Sequence, residues 1–123
     1  MLTQTLIIEG ELTDLNTYIN AERRNRFIAA KIKKEETYKV KSLSRTLKQI
    51  FAPVEVEIHW YSKNIRKDPD NICYAKKYVM DGLVEAGVLA NDGQKQIIGF
   101  RDKFFVDKLN PRVEVILREK PLT

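Results

Sequence analysis

The sequence predicts a small mixed α/β or α+β domain, in which helices pack against a mixed β-sheet and the elements follow the order β-α-β-α-β-β. Segments that alternate apolar and polar residues, as half-buried strands do, are interleaved with segments whose apolar residues recur at helical spacing. The chain has 123 residues, of which 43% are hydrophobic and 32% charged, the balance of one globular core. No repeat, low-complexity tract or Pro/Gly-rich linker divides it, so residues 1–123 are expected to form a single domain.

Taken in order, Thr5 to Gly10 read as a first strand, with Ile7 and Ile8 apolar and Gly10 ending it. From Asp14 to about Ile50 the chain is polar and free of Pro and Gly, and Val40, Leu43, Leu47 and Ile50 fall on one helix face, so one or two helices are expected. Pro53 stops any helix, and Val54, Val56, Ile58 and Trp60 then alternate with Glu55, Glu57, His59 and Tyr61, a strand with one core face and one wet face. A charged loop from Ser62 to Asn71 precedes Ile72 to Ala86, where Ile72, Ala75, Val79, Leu83 and Ala86 recur at helical spacing and Gly87 is placed to cap the end. After the turn Leu89 to Gly93, Lys95 to Val106 reads as a strand interrupted near Asp102 and Lys103. Arg112 to Arg118 reads as a last strand, with Val113, Val115 and Leu117 on one face.

Composition narrows the chemistry. Lys and Arg number 22 against 17 acids, a formal charge of +5 that favours an anionic partner such as nucleic acid. The charge is concentrated: Arg23 to Lys48 carries ten basic residues and two acids, a local +8 that leaves −3 for the remainder. Arg23, Arg24, Arg26, Lys31, Lys33 and Lys34 are therefore candidate phosphate contacts, although an exposed helix face rich in lysine has the same composition. Tyr18, Phe27 and Tyr38 have rings suited to stacking on bases, and core packing accounts for them equally well. The single Cys73 allows no intramolecular disulfide, no Cys/His cluster exists for zinc, and Cys73 reads as a small packed residue. His59 lies in an alternating strand and reads as a face residue without a catalytic role. No Gly-rich nucleotide loop is visible, so no nucleotide cofactor is expected. Met1 to Leu12 shows no basic leader with an apolar run, and no stretch has the length of a membrane span, which makes a cytoplasmic location the expectation.

The most informative segment is Asp68-Pro69-Asp70-Asn71. Proline disfavours the helical region for the residue before it, which suggests that Asp68 and Asp70 are held extended with their side chains on the same side. Two neighbouring carboxylates in a charged loop suit a hard cation, Mg²⁺ or Mn²⁺. Helix capping by Asp68, Asp70 or Asn71, with Pro69 at the first helical position, is the plainer account of the pattern alone. A calcium EF-hand is excluded because Ile72, Cys73 and Val79 stand where its fifth-position ligand, glycine and bidentate glutamate would be.

Asp68-Pro69-Asp70-Asn71-Ile72, then Lys76-Lys77 with Asp81-Gly82-Leu83, and then Leu89-Ala90-Asn91-Asp92-Gly93-Gln94, form the ordered set D-x-D-N, K-x-x-x-D-x-L and a downstream aspartate between Lys67 and Gln94. In this order, in a basic chain of this length, the set resembles the RusA-type Holliday-junction resolvases of bacteria and their phages, and Tyr18-Ile19-Asn20 with Arg23 to Lys34 is similar to the amino-terminal region of Gram-positive and phage members. The resemblance implies a RusA-like fold and a Mg²⁺-dependent endodeoxyribonuclease that binds four-way DNA junctions as a homodimer and nicks two strands symmetrically. Carried over by position, Asp68, Asp70 and Asp92 match the metal-binding catalytic aspartates, and Lys77, four residues before Asp81, matches the catalytic lysine, with Lys76 beside it as a DNA contact. The chain departs from the pattern in two places: Tyr74 stands where a count from Asp70 reaches the lysine, leaving Lys76 and Lys77 both in view, and Asn91-Asp92 replaces a pair of aspartates. Asp81 is expected to pair with Lys77 one helical turn away. Since a straight helix from Ile72 to Ala86 carries the chain about 22 Å from the first two aspartates, Asp92 is expected to complete the Asp68-Asp70 pair of a second subunit, unless the helix bends near Asp81-Gly82. Two other readings compete: a catalytically silent basic DNA-binding dimer, and an RNA-binding or toxin-like module.

Overall fold

A computed structural model describes residues 2–120. The elements are β1 (Thr3–Glu9), α1 (Leu15–Arg24), α2 (Arg26–Leu43), a 3₁₀ turn (Ser44–Thr46), β2 (Val54–Ser62), α3 (Pro69–Cys73), α4 (Lys76–Glu85), β3 (Ile97–Val106) and β4 (Arg112–Glu119). The four strands form one sheet in the order β1-β4-β2-β3, antiparallel except for the parallel pair β2 and β3. The fold is thus the mixed α+β class that the sequence predicts. Among the described residues no helix is long and apolar enough to cross a membrane.

The helices cover one face of the sheet. Leu6 and Ile8 of β1, Val54, Val56, Ile58 and Trp60 of β2, and Val113, Val115 and Leu117 of β4 are buried against Val40 of α2 and Tyr78, Val79 and Leu83 of α4. The period-2 alternation of β2 and β4 decides which side chains turn inward. Gly82 sets the approach of α4 to α2: a Cβ placed there would lie 2.6 Å from the Val40 side chain and 3.0 Å from the Lys41 backbone nitrogen. The glycine of the Asp81-Gly82-Leu83 motif is therefore a point of helix contact, and α4 runs through it without a break.

Several boundaries differ from expectation for local reasons. The polar stretch after Asp14 is two helices that meet at Asn25, whose extended backbone (φ −167°, ψ 118°) ends α1 while its side chain accepts from the Phe27 amide at 2.8 Å and caps α2. The apolar face from Val40 does not run on to Ile50: α2 ends at Leu43, Ser44 donates its hydroxyl to the Val40 carbonyl at 2.7 Å, and Ile50 instead makes a parallel bridge to Leu89. The helix expected over Ile72 to Ala86 begins at Pro69 and is interrupted at Tyr74-Ala75, well before Asp81-Gly82. Gly87 (φ 79°) ends α4 as expected, with its amide on the Val84 carbonyl at 3.0 Å. Strand β3 is not interrupted at Asp102 and Lys103; its irregularity lies at Ile98, which is bulged out between the pairs Val54–Ile97 and Glu55–Gly99.

The face of the sheet that the helices leave open is not simply wet. Glu57 is 5% exposed there, beneath His59, Lys103 and Arg118, with Arg118 donating to its carboxylate at 2.8 Å. Its hydrogen bond with His59, then those with Arg118 and the charge of Lys103, hold its carboxyl at about 2 against an ordinary 4.5. His59 is a face residue, as expected, paired with Glu57 and packed on the Phe105 ring.

Candidate metal centre and basic surface

Asp68, Asp70 and their neighbours lie between the end of β2 and α4. Asp68 stands at the N-cap position of α3 in extended backbone (φ −73°, ψ 152°), with Pro69 beginning the helix, yet its side chain makes no capping hydrogen bond. Asp70, expected extended, is instead in the first helical turn, where its Oδ1 accepts from the Asn71 amide at 2.9 Å. Both carboxylates are exposed, and no ion pair among the described residues engages Asp68, Asp70 or Asp92. Two carboxylates two residues apart, outside any ion pair, carry the hard oxygen donors that Mg²⁺ takes.

The loop that presents them is pinned. Glu11 accepts from the Lys63 amide and from Lys67 Nζ, both at 3.0 Å, and Lys67 also lies 2.8 Å from Asp14, which caps α1 through the Thr17 amide. Burial works to raise both carboxyls, but Lys67, with the Lys63 and Thr17 amides, holds them below the usual carboxylate range. Burial acts to lower Lys67, and the two carboxylates outweigh it and raise its pKa. Asn71 Oδ1 accepts from the Asn16 amide at 2.8 Å, tying α3 to the start of α1. Lys67 and Asn71 stand inside the sequence motif; Glu11 and Asp14 give no signal in it, since only the fold brings them to the loop.

The two candidate lysines diverge. Lys77 pairs with Asp81 at 3.1 Å, the i, i+4 contact that the sequence suggests, and remains half exposed. Lys76 points the other way, placing Nζ 2.7 Å from Asp102 of β3 and 4.3 Å from the centre of the Phe100 ring. Asp102 also accepts from the Trp60 indole at 2.9 Å, so the charge that looks like a strand interruption is held by two partners on the covered side of the sheet. Burial raises the Cys73 thiol, followed by the charges of Asp102 and Asp70, with Lys76 opposing. Cys73 itself is half-buried.

Asp92 does not join Asp68 and Asp70 in the chain. It lies in the exposed turn before β3, in a shallow groove with Gln94, Ile97, Ile98 and Phe100. Among the described residues no three His, Cys, Asp or Glu side chains cluster closely enough to hold a metal.

Eight of the ten basic residues from Arg23 to Lys48 are exposed, and Lys39 and Lys41 are half-buried. The corner at Asn25 presents Arg23 and Arg24 from the end of α1 and Arg26 from the start of α2, followed by Lys31, Lys33 and Lys34. Lys31 makes one long contact with Glu35 at 3.8 Å. Of the candidate stacking rings, Phe27 (70% exposed) and Tyr38 (60%) are free, whereas Tyr18 packs on Tyr74 with ring centres 5.4 Å apart. Compared with family models and with curated proteins, the chain matches none of them.

Proposed function

We propose that this protein is a Mg²⁺-dependent endodeoxyribonuclease that binds four-way DNA junctions as a homodimer and resolves them by paired symmetric nicks, working in the cytoplasm of a bacterium or for a prophage, as the RusA-type resolvases it resembles do. The observation that carries the reading is Asp68: it occupies a capping position without capping, beside a second unpaired carboxylate, on a loop locked by Lys67. Capping accounts for the backbone at Pro69 and leaves the Asp68 side chain unexplained. Asp68, Asp70 and Asp92 would hold Mg²⁺, or Mn²⁺ in its place, and the bound ion supplies the nucleophilic water and Lewis acidity that phosphodiester hydrolysis needs. Lys76, held at Asp102, or Lys77, the match by motif, held at Asp81, would offset charge on the phosphate. Arg23, Arg24, Arg26, Lys31, Lys33 and Lys34 would hold the backbone of the junction arms.

The test is incubation with a synthetic four-way junction and a linear duplex, with and without Mg²⁺: paired nicks in the junction alone, only with metal, are expected. A second reading, the catalytically silent DNA-binding dimer, is favoured by the distance of Asp92 from the other two aspartates. Tight junction binding with no nicking under any divalent ion selects it.

A further inference from the structure

Leu109 (95% exposed) and Ile65 (87%) are the two most exposed large hydrophobes among the described residues, and both belong to loops at one end of the sheet. Ile65 follows β2 in the loop that runs to Asp68, and Leu109 stands in the turn between β3 and β4. β2 and β3 are parallel, with Ser62 beside Val106, and the Asp107 amide continues the pairing on the Ser62 carbonyl at 2.8 Å. The two loops therefore leave the sheet side by side. Ile65 and Pro69, the residue between Asp68 and Asp70, line an open groove with Phe104 to Val106.

Neither tip projects because its loop is slack. Asn64 Oδ1 accepts from the Arg66 amide at 3.0 Å, and the loop is fastened on either side, the Lys63 amide to Glu11 and Lys67 to Glu11 and Asp14. Asp107 accepts from the Asn110 amide at 3.1 Å and from Arg112 at 2.8 Å, and Arg112 also donates to the Asn110 carbonyl, so Leu109 rides on a second closed turn. Apolar side chains held out in this way keep their surface in water, an unfavourable state that a partner relieves on contact. The same loops carry Lys63, Arg66 and Lys108, all exposed and, among the described residues, in no ion pair. Apolar tips among unpaired cations suit a polyanion with an apolar interior, which is DNA, with phosphates outside and base faces within.

We propose that Ile65 and Leu109 enter an opened base step beside the scissile phosphate, and that this unstacking selects branched over linear DNA. The inference rests on the nuclease reading, which puts that phosphate at Asp68 and Asp70. Three residues on from Ile65, Asp68 is at most about 10 Å away along extended chain, the length of about three nucleotides of a stacked strand. Aliphatic side chains that wedge between bases do so against the stacking they replace. At a branch point continuous stacking is already interrupted, and the opposition falls, just as bases are extracted most readily where pairing is already lost. Phosphate contacts from Arg23 to Lys34 are open to any duplex. The tips add what those contacts lack, a response to whether the bases are stacked.

The test uses Ile65→Ser/Leu109→Ser. This variant should keep the wild-type urea midpoint, sedimentation coefficient and affinity for linear duplex, and should nick a fully paired four-way junction about tenfold more slowly. With no divalent ion present, wild type bound to a junction carrying 2-aminopurine at the branch should raise its fluorescence, and the variant should not. Mismatching the bases beside the branch should restore nicking by the variant, and Ile65→Met/Leu109→Met, which returns apolar length, should recover the fluorescence rise. Equal fluorescence with wild type and the serine variant, or a nicking defect that mismatches do not relieve, overturns the wedge. So does a changed sedimentation coefficient, which makes the tips a contact between copies of this chain. A wild type that opens the branch but nicks nothing under any divalent ion refutes the nuclease reading and leaves base insertion standing. A wild type that nicks while the serine variant matches it in both assays refutes the wedge alone, and a wild type that binds no junction refutes both.

Discussion

Asp68 and Asp92 lie in turns of similar polarity, but their surroundings are built differently. The loop of Asp68 is fastened to β1's exit and α1 through Glu11, Asp14 and Asn71, three contacts from distant parts of the chain. The ends of the Asp92 turn are held by backbone alone, Leu89 bridging Ile50 and the Gln96 carbonyl accepting from the Val54 amide at 2.8 Å, and within it Asn91 Oδ1 accepts from the Asp92 amide at 2.8 Å while the Gln96 and Ile97 amides reach the Gly93 carbonyl. One half of the candidate centre is fixed by side chains from distant parts of the chain, and the other is exposed beside the edge strand of the sheet. Metal ligands gain affinity when outer contacts fix them, so the two halves should respond differently to the same kind of damage.

Charge removal breaks the comparison most completely. Asp70→Asn should abolish nicking while leaving junction binding equal or tighter, measured by gel shift and strand cleavage, because a ligand charge is lost and the basic surface is untouched. Lys67→Ala should lower nicking about 10- to 100-fold, the usual cost of losing an outer contact to a metal ligand, whereas Asn91→Ala, which removes a bond only to the next residue's amide, should cost less in the same assay. Lys76→Ala should slow cleavage more than Lys77→Ala; the reverse ranking in single-turnover rates returns the charge-offsetting role to Lys77. Away from both halves, Gly82→Ala should destabilise the fold by about 1–3 kcal/mol in urea titration, since its methyl meets Val40 and the α2 backbone. The smallest effect should be confined to acid: Glu57, held at about 2 against 4.5 when unfolded, contributes stability that is complete above pH 4.5 and is lost as pH falls towards 2. Glu57→Gln should flatten that part of the urea midpoint curve.

How far the sequence carries depends on whether a residue acts locally. Strands β2 and β4 are legible residue by residue because alternation is a local pattern, and Gly87 announces its cap by a conformation only glycine adopts freely. The corner at Asn25 is not legible, for it uses neither proline nor glycine but one asparagine that ends one helix and caps the next. Asp102 misleads for the opposite reason: a charge in a strand suggests a break until Lys76 and Trp60, 26 and 42 residues away, are seen to hold it. In the candidate centre the carboxylates are visible in sequence. Their fixing by Glu11 and Asp14, like the separation of Asp92, exists only once the sheet has brought the loops into place.

The order of the strands also constrains when the molecule can form. β1 pairs with β4 alone, Thr3 opposite Arg118, so the first strand synthesised has no sheet partner until the last has been made. β4 must enter between β1 and β2, closing a loop of more than a hundred residues against chain entropy. Until then β1 waits unpaired, and β2, paired with β3, keeps one edge open. Completion of the sheet therefore waits for β4, and ribosome-bound chains stalled before Arg112 should remain protease-sensitive.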